Sequence, residues 1–194
     1  MMIGPLQALL KYHAMKISEV NRIIKELWSL TYRGEDIETV AISTESKGTA
    51  AASRSYNYRV IMRKGDADLD MRGRCSAGQK VLAGLVIRLA LAETFCVDCG
   101  ILALDEPTTN LDTINKSGLA EAIGKIIKGR HGQSNFQLVC ITHDEQFVNM
   151  LGAAQMNDGA NPGHYYRISR EQDARAGGSA YYSKIEQQEW GIWD

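Results

Sequence analysis

Leu6, Leu10, His13, Ile17, Val20, Ile24 and Leu27 follow one another at alternating steps of four and three residues, the spacing of a heptad seam along one long helix. Lys11, Lys16, Glu19, Arg22, Lys25 and Glu26 fall off that seam, so the remaining faces are polar, and Pro5 suits a first helical turn. The stripe is narrower than the apolar face of an ordinary core helix, which favours the end of a coiled coil over a plain amphipathic helix. The opening Met-Met-Ile-Gly-Pro reads as a cut point.

Beyond Tyr32-Arg33-Gly34 the period falls to two. Ile37, Thr39, Ala41 and Ser43 alternate with Glu38, Val40, Ile42 and Thr44, and Tyr56, Tyr58, Val60 and Met62 alternate with Asn57, Arg59 and Ile61, which predicts two antiparallel strands. Between them, Glu45 to Ser55 is rich in Ser, Gly and Ala and reads as a flexible connection, and Lys64 to Arg74 reads as a charged loop. From Gly78 to about Phe95, Val81, Leu82, Leu85, Val86, Leu89 and Ala92 repeat at helical spacing. Ile101-Leu102-Ala103-Leu104 is then a short apolar run that suits a strand buried on both faces, as is Gln137-Leu138-Val139-Cys140-Ile141 after a second helix over about 113–129. This order predicts a parallel α/β centre with right-handed crossovers. Tyr165 to Ile168 and Tyr181 to Ile185 are further candidate strands, and no internal repeat is visible.

The chain's 194 residues fit one domain with a real core. With 22 Lys+Arg against 23 Asp+Glu and a net charge of -1, any nucleic-acid contact must come from a local patch. No apolar run approaches the roughly 20 residues of a membrane helix and no signal-peptide core is visible, so the reading is a soluble, intracellular protein without membrane attachment. The four cysteines, Cys75, Cys96, Cys99 and Cys140, fit a reducing compartment. Cys96 and Cys99 form a C-x-x-C, but with no second ligand pair nearby, burial near a helix end is the better reading than zinc.

The chemistry concentrates where the apolar run 101–104 meets Asp105-Glu106-Pro107-Thr108-Thr109-Asn110-Leu111-Asp112. A strand ending in two carboxylates delivers both to the C-terminal edge of a parallel sheet, where open α/β folds bind ligands. Asp105 supplies the hard oxygen that Mg2+ prefers beside substrate phosphates, and Glu106 suits a general base that polarises water. Ser76-Ala77-Gly78-Gln79-Lys80 opens a helix whose first N–H groups are unpaired, which suits a phosphate, although a plain N-cap reads the same way. His143, directly after the second apolar strand, falls at the same sheet edge and can hydrogen-bond a terminal phosphate. The phosphate-cradling G-x-x-x-x-G-K-[ST] is missing: Gly73 to Gly78 is followed by Gln79 and Lys80, and Gly118 to Gly124 is one residue too long.

Ser76-Ala77-Gly78-Gln79, the strand ending in Asp105-Glu106, Asn110-Leu111-Asp112 and His143 together resemble the signature motif, Walker B strand, D-loop and switch histidine of ABC ATPases, in their proper order. The heptad helix leading into Tyr32-Arg33-Gly34-Glu35-Asp36-Ile37, Arg74 to Ala83 and Tyr165-Tyr166-Arg167 extend the likeness over nearly the whole chain. In this it is similar to the C-terminal lobe of the coiled-coil, SMC-like ATPase subunit of the MRN/MRX DNA double-strand-break repair complex. The resemblance implies an α/β fold: the C-terminal lobe of an ABC-type head with a parallel sheet core, flanking antiparallel strands and an N-terminal coiled-coil helix. It divides the chain into residues 1–31, a coiled-coil end that docks the partner nuclease, and 32–194, the ATPase lobe.

The same resemblance implies an ATP- and Mg2+-dependent ATPase, active only with an N-terminal lobe that carries the missing cradle. This chain alone is expected to bind ATP negligibly. Two such heads sandwich ATP, with Ser76, Ala77, Gly78 and Gln79 meeting the nucleotide of the opposite head. Asp105 and Glu106 act within their own head, Asp112 links the two sites, His143 senses the terminal phosphate, and Lys80 and Arg88 form a basic switch. Ala77 departs from the glycine that many ABC proteins carry, with little consequence at a helix start. Double-stranded DNA is an implied partner, with Arg63, Lys64, Arg72 and Arg74 as the best local cluster, interrupted by Asp66, Asp68 and Asp70. The implied location is the nucleus, on chromosomes. The main alternative is an SMC chromosome-organising head. An ABC transporter domain would need a cradle upstream of Ser76, and an inactive interaction module would not explain Glu106 with His143.

Overall fold

The computed structural model describes residues 5–47, 55–65, 67–96, 100–130, 132–157, 164–172 and 181–190. The heptad segment forms one helix, α1 (Pro5–Thr31). Its seam sinks progressively into the protein: Leu6 is 40% exposed, Leu10, His13 and Ile17 are half-buried, and Val20, Ile24 and Leu27 are buried. The helix is docked by hydrogen bonds as well as by packing. The Asn21 side chain donates to the carbonyl of Ile42 at 2.9 Å and accepts from its N–H at 2.7 Å, satisfying one residue of an edge strand, and the buried Trp28 indole donates to the carbonyl of Ile37 at 3.2 Å.

The period-two segments pair antiparallel as β1 (Thr39–Lys47) and β2 (Ser55–Lys64), with Val40 opposite Met62 and Ile42 opposite Val60. Those four residues share the inward face. Residues 64–74, expected to be a loop, contain a third strand, β3 (Ala67–Asp70), which pairs back on β2 with Leu69 opposite Met62 and Asp68 opposite Arg63. Cross-strand packing and a charge pair compensate for a segment with little apolar character of its own.

Helix α2 (Ala77–Phe95) carries Leu82, Ala83, Leu85, Val86, Leu89 and Ala90 into the core and packs against α1. Cys96 caps its end, half-buried, with its N–H donating to the carbonyl of Ala92; Cys99, the other member of the C-x-x-C, lies outside the described residues. Strand β4 (Ile101–Asp105), helix α3 (Thr113–Gly129) and strand β5 (Gln137–Ile141) follow, with the strands parallel and Leu104 opposite Cys140. Helix α4 (Glu145–Asn157), which the sequence reading did not name, packs on α3, with Phe147 and Leu151 buried. Strands β6 (His164–Gln172) and β7 (Tyr181–Glu189) form a separate antiparallel pair, each longer than expected.

The expectation that β4 and β5 are buried on both faces is corrected. Leu102, Leu104, Leu138 and Cys140 face the core, but Ile101 is 64% exposed, Val139 42% and Ile141 58%, on the face they share with Ala103 and Asp105. Among the described residues only one side of this pair is covered. An apolar run records that both faces avoid water, and here a second layer is missing from one of them.

Candidate functional site

At the end of β4 the backbone of Glu106 enters the left-handed region with φ 45°, a conformation that disfavours a residue with a β-carbon. Its surroundings impose it. The Glu106 N–H donates to the carbonyl of Ile141 at 2.9 Å, and its own carbonyl accepts from both the N–H (3.3 Å) and the hydroxyl (3.0 Å) of Thr109. The carboxylate therefore turns toward the end of β5, where Oε1 accepts from the backbone N–H of His143 at 3.2 Å. Oε2 is buried and lies 2.9 Å from His143 Nδ1, an ion-pair contact that joins the two side chains. The nearby Glu106 carboxylate raises the His143 pKa above the usual histidine value although the ring is largely exposed. Strained backbone held by several bonds is typical of a site where geometry serves chemistry.

The loop carrying His143 is fixed from the other side. Burial pushes the Asp144 carboxyl up, but Lys116 on α3, 2.5 Å away, together with the Phe147 N–H at 3.1 Å, holds it below the usual carboxylate value overall. Asp144 thereby ties the His143 loop to α3 while capping α4. Asp105 is exposed beside Glu106 and makes no hydrogen bond or ion pair among the described residues, so its carboxylate faces solvent at the sheet edge. No cluster of three or more His, Cys, Asp or Glu side chains stands ready for a metal among the described residues. The exposed hard oxygens of Asp105 fit a Mg2+ that keeps most of its shell as water and phosphate oxygens. Burial, and secondarily Glu106, raises the nearby Cys140 thiol to about 11, so it is a packed thiol and not a nucleophile.

The signature segment forms a complete capping box. Ser76 is the N-cap of α2, its Oγ accepting from the Gln79 N–H at 3.2 Å while Gln79 Oε1 accepts from the Ser76 N–H at 2.9 Å. Ala77 follows as the first helical residue, exposed. A β-carbon on Gly78 would stand 2.7 Å from the carbonyl oxygen of Asn110, so the start of α2 lies directly against the segment after Glu106. Asn110 itself sits at φ 61°, which asparagine tolerates better than most residues. Asp112 caps α3, accepting from the Asn115 N–H at 2.9 Å. No hydrogen bond joins the α2 cap to Glu106 or His143 among the described residues, so the structure brings together Asp105, Glu106 and His143 as one group and Ser76, Ala77, Gly78, Gln79 and the Asn110–Asp112 turn as another.

The basic candidates divide. Lys80 lines a groove of about 550 Å³ with Arg59, Arg72, Asp70 and Asn57, whereas Arg88, exposed further along α2, does not. Arg63 is held by Asp68 in a two-point pair at 2.8 and 3.1 Å, and Asp70 accepts from the backbone N–H of Arg72. Lys64 and Arg74 are exposed nearby. Tyr32 and Asp36, which the sequence reading quoted without a role, meet the Gln79 side chain; only their proximity to the signature in three dimensions reveals it.

Comparison with solved structures gives the class. The chain superposes on an SMC ATPase head solved with the C-winged helix domain of ScpA with TM-score 0.63 at 16% identity, covering 97% of this chain and 48% of that one. A chain from work on ATP-driven dimerisation and DNA-stimulated activation of SMC ATPases gives TM-score 0.58 at 13% identity, covering 91% of this chain and 88% of that one. The fold is thus that of an SMC-type ATPase head lobe. No protein-family profile matches the chain. In sequence it is 56% identical over 165 residues to the DNA repair protein RAD50 of Arabidopsis thaliana, 54% over 169 residues to that of Schizosaccharomyces pombe and 52% over 164 residues to that of Saccharomyces cerevisiae, each match covering 84–87% of this chain. It belongs to the Rad50 family and corresponds to the C-terminal lobe of the Rad50 head. The chain spans 12–13% of the length of these relatives.

Proposed function

We propose that this chain is the C-terminal half of an ATP-hydrolysing head that acts in DNA double-strand-break repair. The observation that carries the proposal is the Glu106–His143 pair, 2.9 Å apart at the C-terminal edge of the parallel strands. Glu106 is the general base for the attacking water. His143, held through its backbone N–H, orients the carboxylate and presents its exposed ring to the terminal phosphate. Asp105 holds Mg2+, which when bound neutralises charge developing on the phosphate oxygens.

The uncovered face of β4 and β5 supports a second lobe packed there, carrying the phosphate cradle this sequence lacks. The capped start of α2 offers Ser76 and the N–H groups of Ala77 and Gly78 to the nucleotide of a second, ATP-engaged head, and Asp112, two residues beyond the Asn110 carbonyl that faces Gly78, joins the two sites. Lys80 lies in a groove shared with the β2–β3 hairpin, which suits a switch that moves with the nucleotide, with Arg88 as its second member. The exposed part of α1, within a coiled-coil end of residues 1–31, is the dock for a nuclease partner, and 32–194 is the ATPase lobe. Double-stranded DNA is held near Lys64, Arg72 and Arg74, with Arg63 contributing less while paired to Asp68. The setting is the nucleus. No described helix is long and apolar enough to cross a membrane.

Identity above 50% to several Rad50 proteins, against 13–16% to SMC heads, favours repair over the chromosome-organising alternative. Calorimetric titration of ATP tests the split architecture: negligible binding is expected for the chain alone and clear Mg2+-dependent binding once a cradle-bearing N-terminal lobe of the family is added. Equal binding by the chain alone would refute it.

A further inference from the structure

The amide of Gln79 is fully engaged. Oε1 completes the capping box with Ser76, while Nε2 donates to the Tyr32 hydroxyl and to Asp36 Oδ2, each at 2.8 Å. The Tyr32 hydroxyl donates in turn to Asp36 Oδ1, closing a ring of three side chains. A capping box needs none of this, since Ser76 and Gln79 satisfy each other's backbone N–H groups unaided. The ring is anchored to the end of α1. Tyr32 directly follows Thr31, its N–H donates to the carbonyl of Trp28 at 2.8 Å, and its ring stacks on the buried Trp28 at 4.5 Å. Gly34 lies so close beneath the Tyr32 ring that any β-carbon there would overlap it.

We propose that Tyr32 and Asp36 are positioning residues for the signature segment: they fix the Gln79 amide, and through it the Ser76 cap, and so tie the phosphate-facing start of α2 to the end of α1. Ser76 Oγ accepts from Gln79 but keeps its own proton to donate to a phosphate oxygen. Its direction depends on the box staying closed. Asp36 accepts two hydrogen bonds, one at each oxygen, and does so best as a carboxylate. The bond from Tyr32 holds its carboxyl below the usual range, and burial followed by Asp36 raises the Tyr32 hydroxyl, so both groups keep the required form at neutral pH. Because the ring hangs from the last turn of α1, a change in the direction of that helix reaches the Ser76 cap through two side chains.

This inference rests on the ATPase reading above, and its test separates the two. In the full-length protein, Tyr32→Phe keeps the stack on Trp28 and deletes only the hydroxyl. Asp36→Asn replaces one of the two acceptor oxygens by an NH2 group, so residue 36 can no longer accept from both Gln79 Nε2 and the Tyr32 hydroxyl and the ring opens. ATP-dependent head association should weaken about five-fold or more in Tyr32→Phe, which deletes both hydrogen bonds of the hydroxyl, and by a similar factor in Asp36→Asn. Nucleotide affinity of single heads, measured below the association concentration, should not change, and association should stay weakened far below the melting temperature. Unchanged association in both variants, or weakening only in step with the unfolded fraction, overturns the proposal. A parent protein whose heads do not associate with ATP contradicts the ATPase reading and this one with it.

Discussion

Gly78 sits directly against the carbonyl of Asn110, so close that a methyl group on residue 78 would stand 2.7 Å from that oxygen. Gly78 is required for space, since the neighbour is backbone and Asn110 is already in a left-handed conformation. Gly78→Ala is expected to cost about 1–3 kcal/mol through overpacking and to displace the Asn110–Asp112 turn. Chemical denaturation of the chain reads the first effect, and lost ATP-dependent association of paired heads reads the second.

The Glu106–His143 pair gives a titration signature. The pKa of His143 is raised in the folded state, so the pair's contribution is fully present below the ordinary histidine value of 6.5 and is lost as pH rises through the folded value. An NMR titration of the His143 ring should have its midpoint above 6.5 and fall back toward it in Glu106→Gln. A midpoint at or below 6.5 in the parent chain would separate the two residues.

Gly118 belongs to packing and not to any phosphate loop. A β-carbon there would lie 2.6 Å from the carbonyl of Leu30 and 2.8 Å from that of Thr31, so the close crossing of α3 over the end of α1 depends on the glycine. Gly118→Val should destabilise the chain by about 3 kcal/mol or more, seen as a lower denaturation midpoint with an unchanged slope.

The helices and central strands were legible because their periodicity is local: α3 was expected at about 113–129 and spans Thr113–Gly129. Strand β3 was hidden because Ala67-Asp68-Leu69-Asp70 carries no strong pattern, and its place is set by Met62 and Arg63 on the neighbouring strand. Helix α4 has a local pattern of its own, with Phe147, Met150, Leu151 and Ala154 at helical spacing behind Asp144 as cap. At the site, Glu106 and His143 each directly follow an apolar strand, which places them at one sheet edge in the sequence, and in the structure their side chains lie 2.9 Å apart. The docking of Asn21 on Ile42 and the ring of Tyr32, Asp36 and Gln79 join residues 21 and 43–47 positions apart, so no local pattern encodes them.

The bare side of β4 and β5 predicts a variant that leaves this chain intact and breaks its assembly. Ile101→Arg, at a position 64% exposed, should change the chain's own stability by less than about 0.5 kcal/mol while abolishing co-purification with the N-terminal lobe. A fall in stability with pairing retained would place the lobe elsewhere.

We propose Glu106 as the base of an ATPase completed by a second lobe. The most direct measurement is Mg2+-dependent ATP hydrolysis by the chain alone, by the chain with the cradle-bearing lobe, and by that mixture with Glu106→Gln. Turnover is expected only in the unmodified mixture, with a loss of at least about 100-fold on Glu106→Gln. Hydrolysis by the chain alone, or turnover that survives Glu106→Gln, would contradict the proposal.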